Sequence, residues 1–171
     1  MKNIWLISDT HFNHADILTF SDYVGKPVRP FSNVDEMNQC IMDNWNDLVK
    51  PEDTVIHLGD VLFGLNKVEW LEANFSKLPG KKRLVLGNHD NVKFLAPFFK
   101  DVSLWIQMPK AVLSHAPLHA QTLAERHRFG DAMLNIHGHT HTNPSPEGPY
   151  KCVSVEQTDY KPINIEDVVN A

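Results

Sequence analysis

With 171 residues, of which 42% are apolar and 22% charged, the chain can bury a core for one domain and is short for two. A net charge of −5 argues against a broad basic face for nucleic acid, no apolar run approaches a membrane span, and none has the form of a secretory signal. The two cysteines, Cys40 and Cys152, lie far apart and predict inert thiols in a cytoplasmic protein rather than a disulfide framework or a thiolate metal site. The ten histidines stand out: His137, His139 and His141 fall within five residues, and neutral imidazole is the commonest side-chain metal ligand.

In chain order, Ile4–Ile7 is an unbroken apolar run, the pattern of a parallel strand covered on both faces. It ends in Ser8-Asp9-Thr10-His11. Asp9 and His11 are two apart, so in an extended chain both would point to one side and could grip one ion. Phe12-Asn13-His14 follows, with His14 expected in a cleft wall. Residues 21–32 contain Gly25, Pro27 and Pro30 and read as a rim loop. Asn33, with Glu36 three residues later, starts a capped helix whose buried face is Val34, Met37, Ile41, Trp45 and Leu48. Residues 54–58 predict a second strand, ending at Gly59-Asp60. Asn66 with Glu69 caps another helix, apolar on Val68, Leu71, Phe75 and Leu78 and stopped by Pro79-Gly80.

Leu84 to Leu86 predicts a buried third strand opening into Gly87-Asn88-His89-Asp90. The glycine allows a sharp turn or close approach to a ligand, and an amide, an imidazole and a carboxylate follow it. A short helix over 91–100 and two adjacent strands over 102–107 and 111–114 come next, the second leading to His115. Residues 118–131 read as a solvated polar helix and loop, from which Arg126 or Arg128 could meet a substrate phosphate. Residues 133–136 predict a strand ending in His137-Gly138-His139-Thr140-His141, with His139 and His141 on one side of an extended segment. Residues 150–155 form a further strand, and 163–169 a closing segment, helical from Glu166.

Five strand ends therefore carry Asp9 and His11; Asp60; Asn88, His89 and Asp90; His115; and His139 and His141. Parallel strands bring their carboxyl ends to one sheet edge, where residues distant in sequence can converge. Imidazole mixed with carboxylate and amide oxygen, without thiolate, suits Mn, Fe, Zn or Ni rather than a cysteine-bound structural zinc or an all-oxygen calcium cage. There are more donors than one tetrahedral ion needs, and two metals are the natural count.

The ordered set Asp-x-His, Gly-Asp, Gly-Asn-His-Asp, a lone His and Gly-His-Thr-His resembles the motifs of the calcineurin-like metallophosphoesterases. Ser-Asp-Thr-His-Phe-x-His resembles the first motif of their small single-domain bacterial and phage members. The resemblance implies an α/β fold, a two-sheet β sandwich flanked by helices (α/β/β/α), as one domain over residues 1–171. It implies one metal on Asp9, His11, Asp60 and His141 and another on Asp60, Asn88, His115 and His139. The ions would be two divalent transition metals, manganese first and iron, zinc or nickel as alternatives. Such ions, about 3.5–4 Å apart, would activate a bridging hydroxide for in-line attack on phosphorus. His89 would be the general acid or a stabiliser of the transferring phosphoryl, and Asp90 would orient its imidazole.

The protein Ser/Thr phosphatase branch follows Gly-Asp with Asp-Arg-Gly, whereas this chain has Val61-Leu62-Phe63-Gly64. Without that arginine the expectation leans to phosphodiester hydrolysis on a small or nucleotide-like substrate. His14, Arg126 and Arg128 would be the substrate contacts, with no extended nucleic-acid surface and no membrane partner. The alternatives are a phosphomonoesterase or protein phosphatase using the same site, and a non-catalytic scaffold of the same fold. A DNA-repair nuclease of the superfamily would need extra domains and a basic groove.

Overall fold

The structure, a computed structural model, describes residues 2–22, 24–64, 67–127 and 133–170. The first sheet contains β1 (Ile4–Ile7), β2 (Thr54–His57), β3 (Lys81–Val85) and β4 (Val102–Ser103), all parallel, in the order β4-β3-β2-β1. The second contains β5 (Trp105–Gln107), β6 (Ala111–Ser114), β7 (Leu134–His137) and β8 (Tyr150–Cys152), in chain order, with only β5 antiparallel to its neighbour. A two-residue strand, β9 (Ile163–Asn164), adds antiparallel to β1 and completes the first sheet.

Successive strand residues face opposite sides, and here both sides are buried. Ile7, Val55 and Leu84 face outwards onto Met37, Ile41 and Trp45 of α1 (Val34–Leu48), with Leu71 of α2 (Lys67–Ala73) and Leu95 of α3 (Val92–Leu95) in the same cluster. Their neighbours Leu6, Ile56 and Val85 face inwards onto Ile106, Leu113 and Ile136 of the second sheet. On the far side of that sheet, Val112 and Met133 pack against Leu123 of α4 (Ala120–His127). Ile165 and Val168 of α5 (Ile165–Val169) join the core between the sheets. The order of layers is thus helix, sheet, sheet, helix, as expected. Two-sided burial explains the unbroken apolar runs. No described helix is long and apolar enough to cross a membrane.

Several local readings change, and the strand predicted over 150–155 stops at Cys152, with Val155 opening a 3₁₀ turn. The segment 102–107 is not one strand: it divides at Leu104, which is 70% exposed, with β4 pairing in the first sheet and β5 in the second. The closing segment contributes a strand as well as a helix. The second predicted helix ends at Ala73, and Phe75 lies in a separate 3₁₀ turn; its proposed cap, Asn66, lies outside the described residues. The cap of α1 forms as read, with Asn33 Oδ1 accepting from Glu36 N at 2.9 Å while Glu36 Oε2 accepts from Ser32 N at 2.9 Å.

Asp53 ties the start of β1 to the turn before β2. Its buried carboxylate accepts from Asn3 N and Trp5 Nε1, each at 2.9 Å, and from Lys50 N at 3.1 Å. Burial pushes its pKa up, but these donors outweigh burial and hold it at about 2. The stabilisation is therefore complete above the unfolded carboxyl value of about 3.9 and disappears as pH falls through the folded value. Asp53→Asn should lower the Tm by several degrees at neutral pH, with the deficit shrinking in acid. Thermal melts across that range would show instead a pH-independent deficit if the charge were not its source.

Candidate metal centre

The segments following β1, β2, β3, β6 and β7 meet at one end of the sandwich. Backbone bonds stitch the first two together: Asp9 N to Gly59 O at 2.9 Å, His11 N to Asp60 O at 3.0 Å and Phe12 N to Val61 O at 3.0 Å. Asp9, His11, Asp60, His139 and His141 all occupy the left-handed region, at φ of 56°, 46°, 56°, 68° and 51°. Non-glycine residues held there cost roughly 1–3 kcal/mol each and persist only where their surroundings over-determine them. This corrects the expected extended geometry. Asp9 and His11 meet through consecutive turns, and His139 and His141 turn into two different groups.

Those groups are Asp9, His11 and His141, and Asp60, His115 and His139; within each, the potential ligand atoms lie within 4.8 Å of one another. Asp60 Oδ2 lies between them, 3.7 Å from His11 Nε2 and 3.4 Å from His115 Nε2. Asn88 Oδ1 and His139 Nδ1 approach His115 Nε2 to 2.8 and 3.2 Å. His141 Nε2 lies 4.0 Å from Asp9 Oδ1. Every residue expected to hold a metal is therefore in one of the groups or against it.

The donors suit divalent ions on physical grounds. His115 Nδ1 is 2.8 Å from the Leu58 carbonyl, so it carries the hydrogen there. In the neutral ring Nε2 then aims a lone pair at two oxygen acceptors, Asn88 Oδ1 and Asp60 Oδ2, an arrangement favoured by positive charge among them. Asp9 Oδ1 and His11 Nε2 are buried without a hydrogen-bond partner among the described residues, an uncommon state for polar atoms. Burial raises the Asp9 pKa. Burial, aided by the Arg29 charge, lowers that of His11 to about 2 and leaves a neutral ligand. At Asp60 burial pushes upwards, but the His115 hydrogen bond and charge and the His89 N–H hold the carboxyl at about 2. Burial pushes His115 and His141 down, yet Asp60 and Asp9 around the first, and Glu156 and Asp9 around the second, raise both. The pocket favours cations.

Asp90 has a different task from the one expected. Its carboxylate accepts from Gly87 N at 2.8 Å, Asp60 N at 2.9 Å and Val61 N at 2.9 Å. It clips the Asp60 turn to the Gly87 turn instead of orienting the His89 ring. Gly87 is needed for this approach, since a Cβ there would collide with the Asp60 carboxylate. His89 supports Asp60 through its backbone N–H, 2.9 Å from Oδ1, while its ring lines a cavity beside Phe63, 4.9 Å between ring centres. His14 is in that cavity wall, stacked on Phe63 at 4.0 Å, with Nδ1 3.1 Å from His11 Nδ1. The Arg126 side chain and all of Arg128 lie outside the described part of the chain. His137 stays apart from both groups, bonded to Gly138 O at 2.7 Å and Ser145 Oγ at 2.9 Å.

Three supporting residues escaped the sequence reading. Arg29 is only 1% exposed; it donates to Thr10 O at 2.8 Å and to Asp9 O, and pairs with Glu156 Oε1 through Nε at 2.8 Å and Nη2 at 2.7 Å. Glu156 Oε1 also lies 2.8 Å from His141 Nδ1, which fixes the hydrogen there and leaves Nε2 free to face Asp9. Ser154 Oγ donates to Asp9 Oδ2 at 2.8 Å, beside His139 N at 2.9 Å. Ser154 and Glu156 follow β8, a parallel strand whose end reaches the same edge, so sheet topology could have found them. Arg29 lies in a proline-flanked loop with no such signal.

An α/β sandwich with paired nitrogen-and-oxygen ligand groups at one edge is a metal-binding scaffold. Residues 1–157 match the model of the calcineurin-like phosphoesterase superfamily domain, and the chain belongs to that family. It is 36% identical over 178 residues to an uncharacterised protein of Methanocaldococcus jannaschii, covering 99% of this chain and 90% of that one. The gene 66 protein of Mycobacterium phage D29 is 28% identical over 176 residues, covering 83% and 80%. The crystal structure of a protein of unknown function from Aquifex aeolicus is similar at a TM-score of 0.74 and 32% identity, covering 98% of each chain. Family membership makes this a hydrolase of phosphate esters.

Glu156→Gln keeps the shape of the His141 support and removes its charge. Calorimetric titration of chelator-treated protein with Mn²⁺ should show affinity reduced by about 10- to 100-fold. Unchanged affinity would mean that the metal centre does not depend on this pair.

Proposed function

We propose that the chain is a dinuclear phosphodiesterase acting on small or nucleotide-like esters. The observation that carries this reading is Asp60 Oδ2, which lies within 3.7 Å of a nitrogen ligand from each group and can serve as a shared ligand. Asp9, His11 and His141 would complete one site, and Asn88, His115 and His139 the other. Divalent ions, with manganese the first choice, would supply Lewis acidity toward the phosphoryl oxygens and lower the pKa of the attacking water.

The chain's own residues account for the remaining work. Asp90 and the stitched turns hold Asp60 in place, and Glu156 holds His141. His89 presents an exposed imidazole to the cavity next to the metal groups, placed to give a proton to the departing ester oxygen. The lean to diesters rests on charge. Val61, Leu62 and Phe63 follow Asp60, and no Lys or Arg is among the described residues that line the cavity. A diester brings one negative charge to the metals where a monoester brings up to two. The intact ligand groups disfavour a scaffold role.

The first test is turnover of bis-p-nitrophenyl phosphate against p-nitrophenyl phosphate after chelation and refilling with Mn²⁺. Metal-restored cleavage should favour the diester, and preference for the monoester would reverse the assignment. In the same assay Asp60→Ala should abolish turnover together with binding of at least one metal. His89→Ala should keep the metals, checked by elemental analysis, and lower kcat by roughly 10²- to 10⁴-fold. Full activity in that variant would remove His89 from the mechanism.

A further inference from the structure

The cavity beside the metal groups, about 680 Å³, is far larger than one phosphate and within the range of sites that enclose an organic ligand. Its outer wall is built by the segment after His14. Ala15–Thr19 forms a 3₁₀ turn, and Phe20 and Val28 are then brought together by a bond from Val28 N to Phe20 O at 2.8 Å. Ile17, Phe20 and Val28 line the cavity from this side, and Phe63 and His14 line it from the other. Asp22 is the one carboxylate among the described residues of the wall, its Oδ1 accepting from Val24 N and Lys26 N, each at 2.9 Å. The next residue after Val28 is Arg29, the buried guanidinium bonded to the carbonyls of Asp9 and Thr10. The wall is therefore registered directly to the metal groups.

We infer that this cavity is a specificity pocket that takes one ester group of the substrate, and that this group is uncharged and ring-bearing. The inference rests on the phosphoesterase reading and adds the identity of the group next to the phosphate. Apolar and aromatic walls favour a ring through burial and stacking. A carboxylate in the wall, and no Lys or Arg among its described residues, disfavour a second anionic group. Phe20 is the part of the wall best placed to meet such a ring from solvent, since it is 51% exposed and its ring stands perpendicular to His14 at 6.0 Å. Aryl and nucleoside groups share this chemistry.

Non-hydrolysable phosphonates test the pocket without requiring turnover. Calorimetric Kd values for Mn²⁺-loaded protein would be compared for methylphosphonate, phenylphosphonate and 4-carboxyphenylphosphonate, with 5′-deoxythymidine 5′-phosphonate as the nucleoside arm. Phenylphosphonate should bind at least about tenfold tighter than methylphosphonate, and Phe20→Ala should bring that ratio to within about twofold of one. The added carboxylate should cost most of the gain. Tighter binding of the thymidine phosphonate than of phenylphosphonate would assign the pocket to a nucleoside, and the reverse order to a simpler aryl group. Equal binding of methyl- and phenylphosphonate, or a phenyl advantage that survives Phe20→Ala, would overturn the pocket and leave the phosphoesterase reading standing. Failure of all four to bind, with no turnover of bis-p-nitrophenyl phosphate, would remove both together. Phe20 is half-exposed, so its truncation leaves the core intact.

Discussion

Two carboxylates, Asp9 and Asp60, are buried beside one another's imidazole partners, 0% and 1% exposed. Removing like charges from water is costly unless opposite charge and hydrogen bonds accompany them. The surroundings supply part of this. Asp9 Oδ2 takes two donors and Asp60 Oδ1 takes the His89 N–H, while Asp9 Oδ1 and Asp60 Oδ2 face the imidazoles. The atoms that point away from the pocket are hydrogen-bonded, and those that point into it can take a cation. That division makes the site a receptor for positive charge.

Holding the donors in place requires backbone that an ordinary strand or helix does not provide. Five ligand residues in left-handed turns aim their side chains inwards, and the strain persists because the turns are bonded to one another. Asp90 secures the turns after β2 and β3 to each other, Gly59 and Asp60 carbonyls secure the turn after β1, and Arg29 seizes the carbonyls of Asp9 and Thr10. The two sheets are the stiff base from which these turns project. Their cores lie on both faces of each central strand, so a shift at one strand end would disturb packing on two sides.

Much of this was legible in the sequence, for identifiable reasons. Apolar runs with no alternation announced strands covered on both sides, and Asp, His and Asn at five strand ends announced a metal site. Residues that act locally were harder to place. Asp90 follows His89 directly, which suggests a pair, but the tight turn swings its carboxylate back onto three backbone N–H groups. Left-handed φ at Asp9 or His141 leaves no compositional mark as a glycine would. The division of 102–107 at Leu104 depends on which sheet each half finds as a partner, a long-range matter that β-propensity does not encode. Arg29 becomes visible only when its loop is folded against Glu156, 127 residues away in sequence.

Arg29 also explains how chemistry and recognition could stay in register. One guanidinium bonds the backbone of two residues in the first ligand turn, pairs with the carboxylate that orients His141, and directly follows Val28 of the cavity wall. Val28 of the wall and the first ligand turn are therefore joined through a single residue. Because both Arg29 and Glu156 are buried, the connection is little screened by solvent and resists rearrangement, since removing either partner would leave an uncompensated charge. A wall fixed in this way can reject a substrate by shape. It need not close over the substrate to do so.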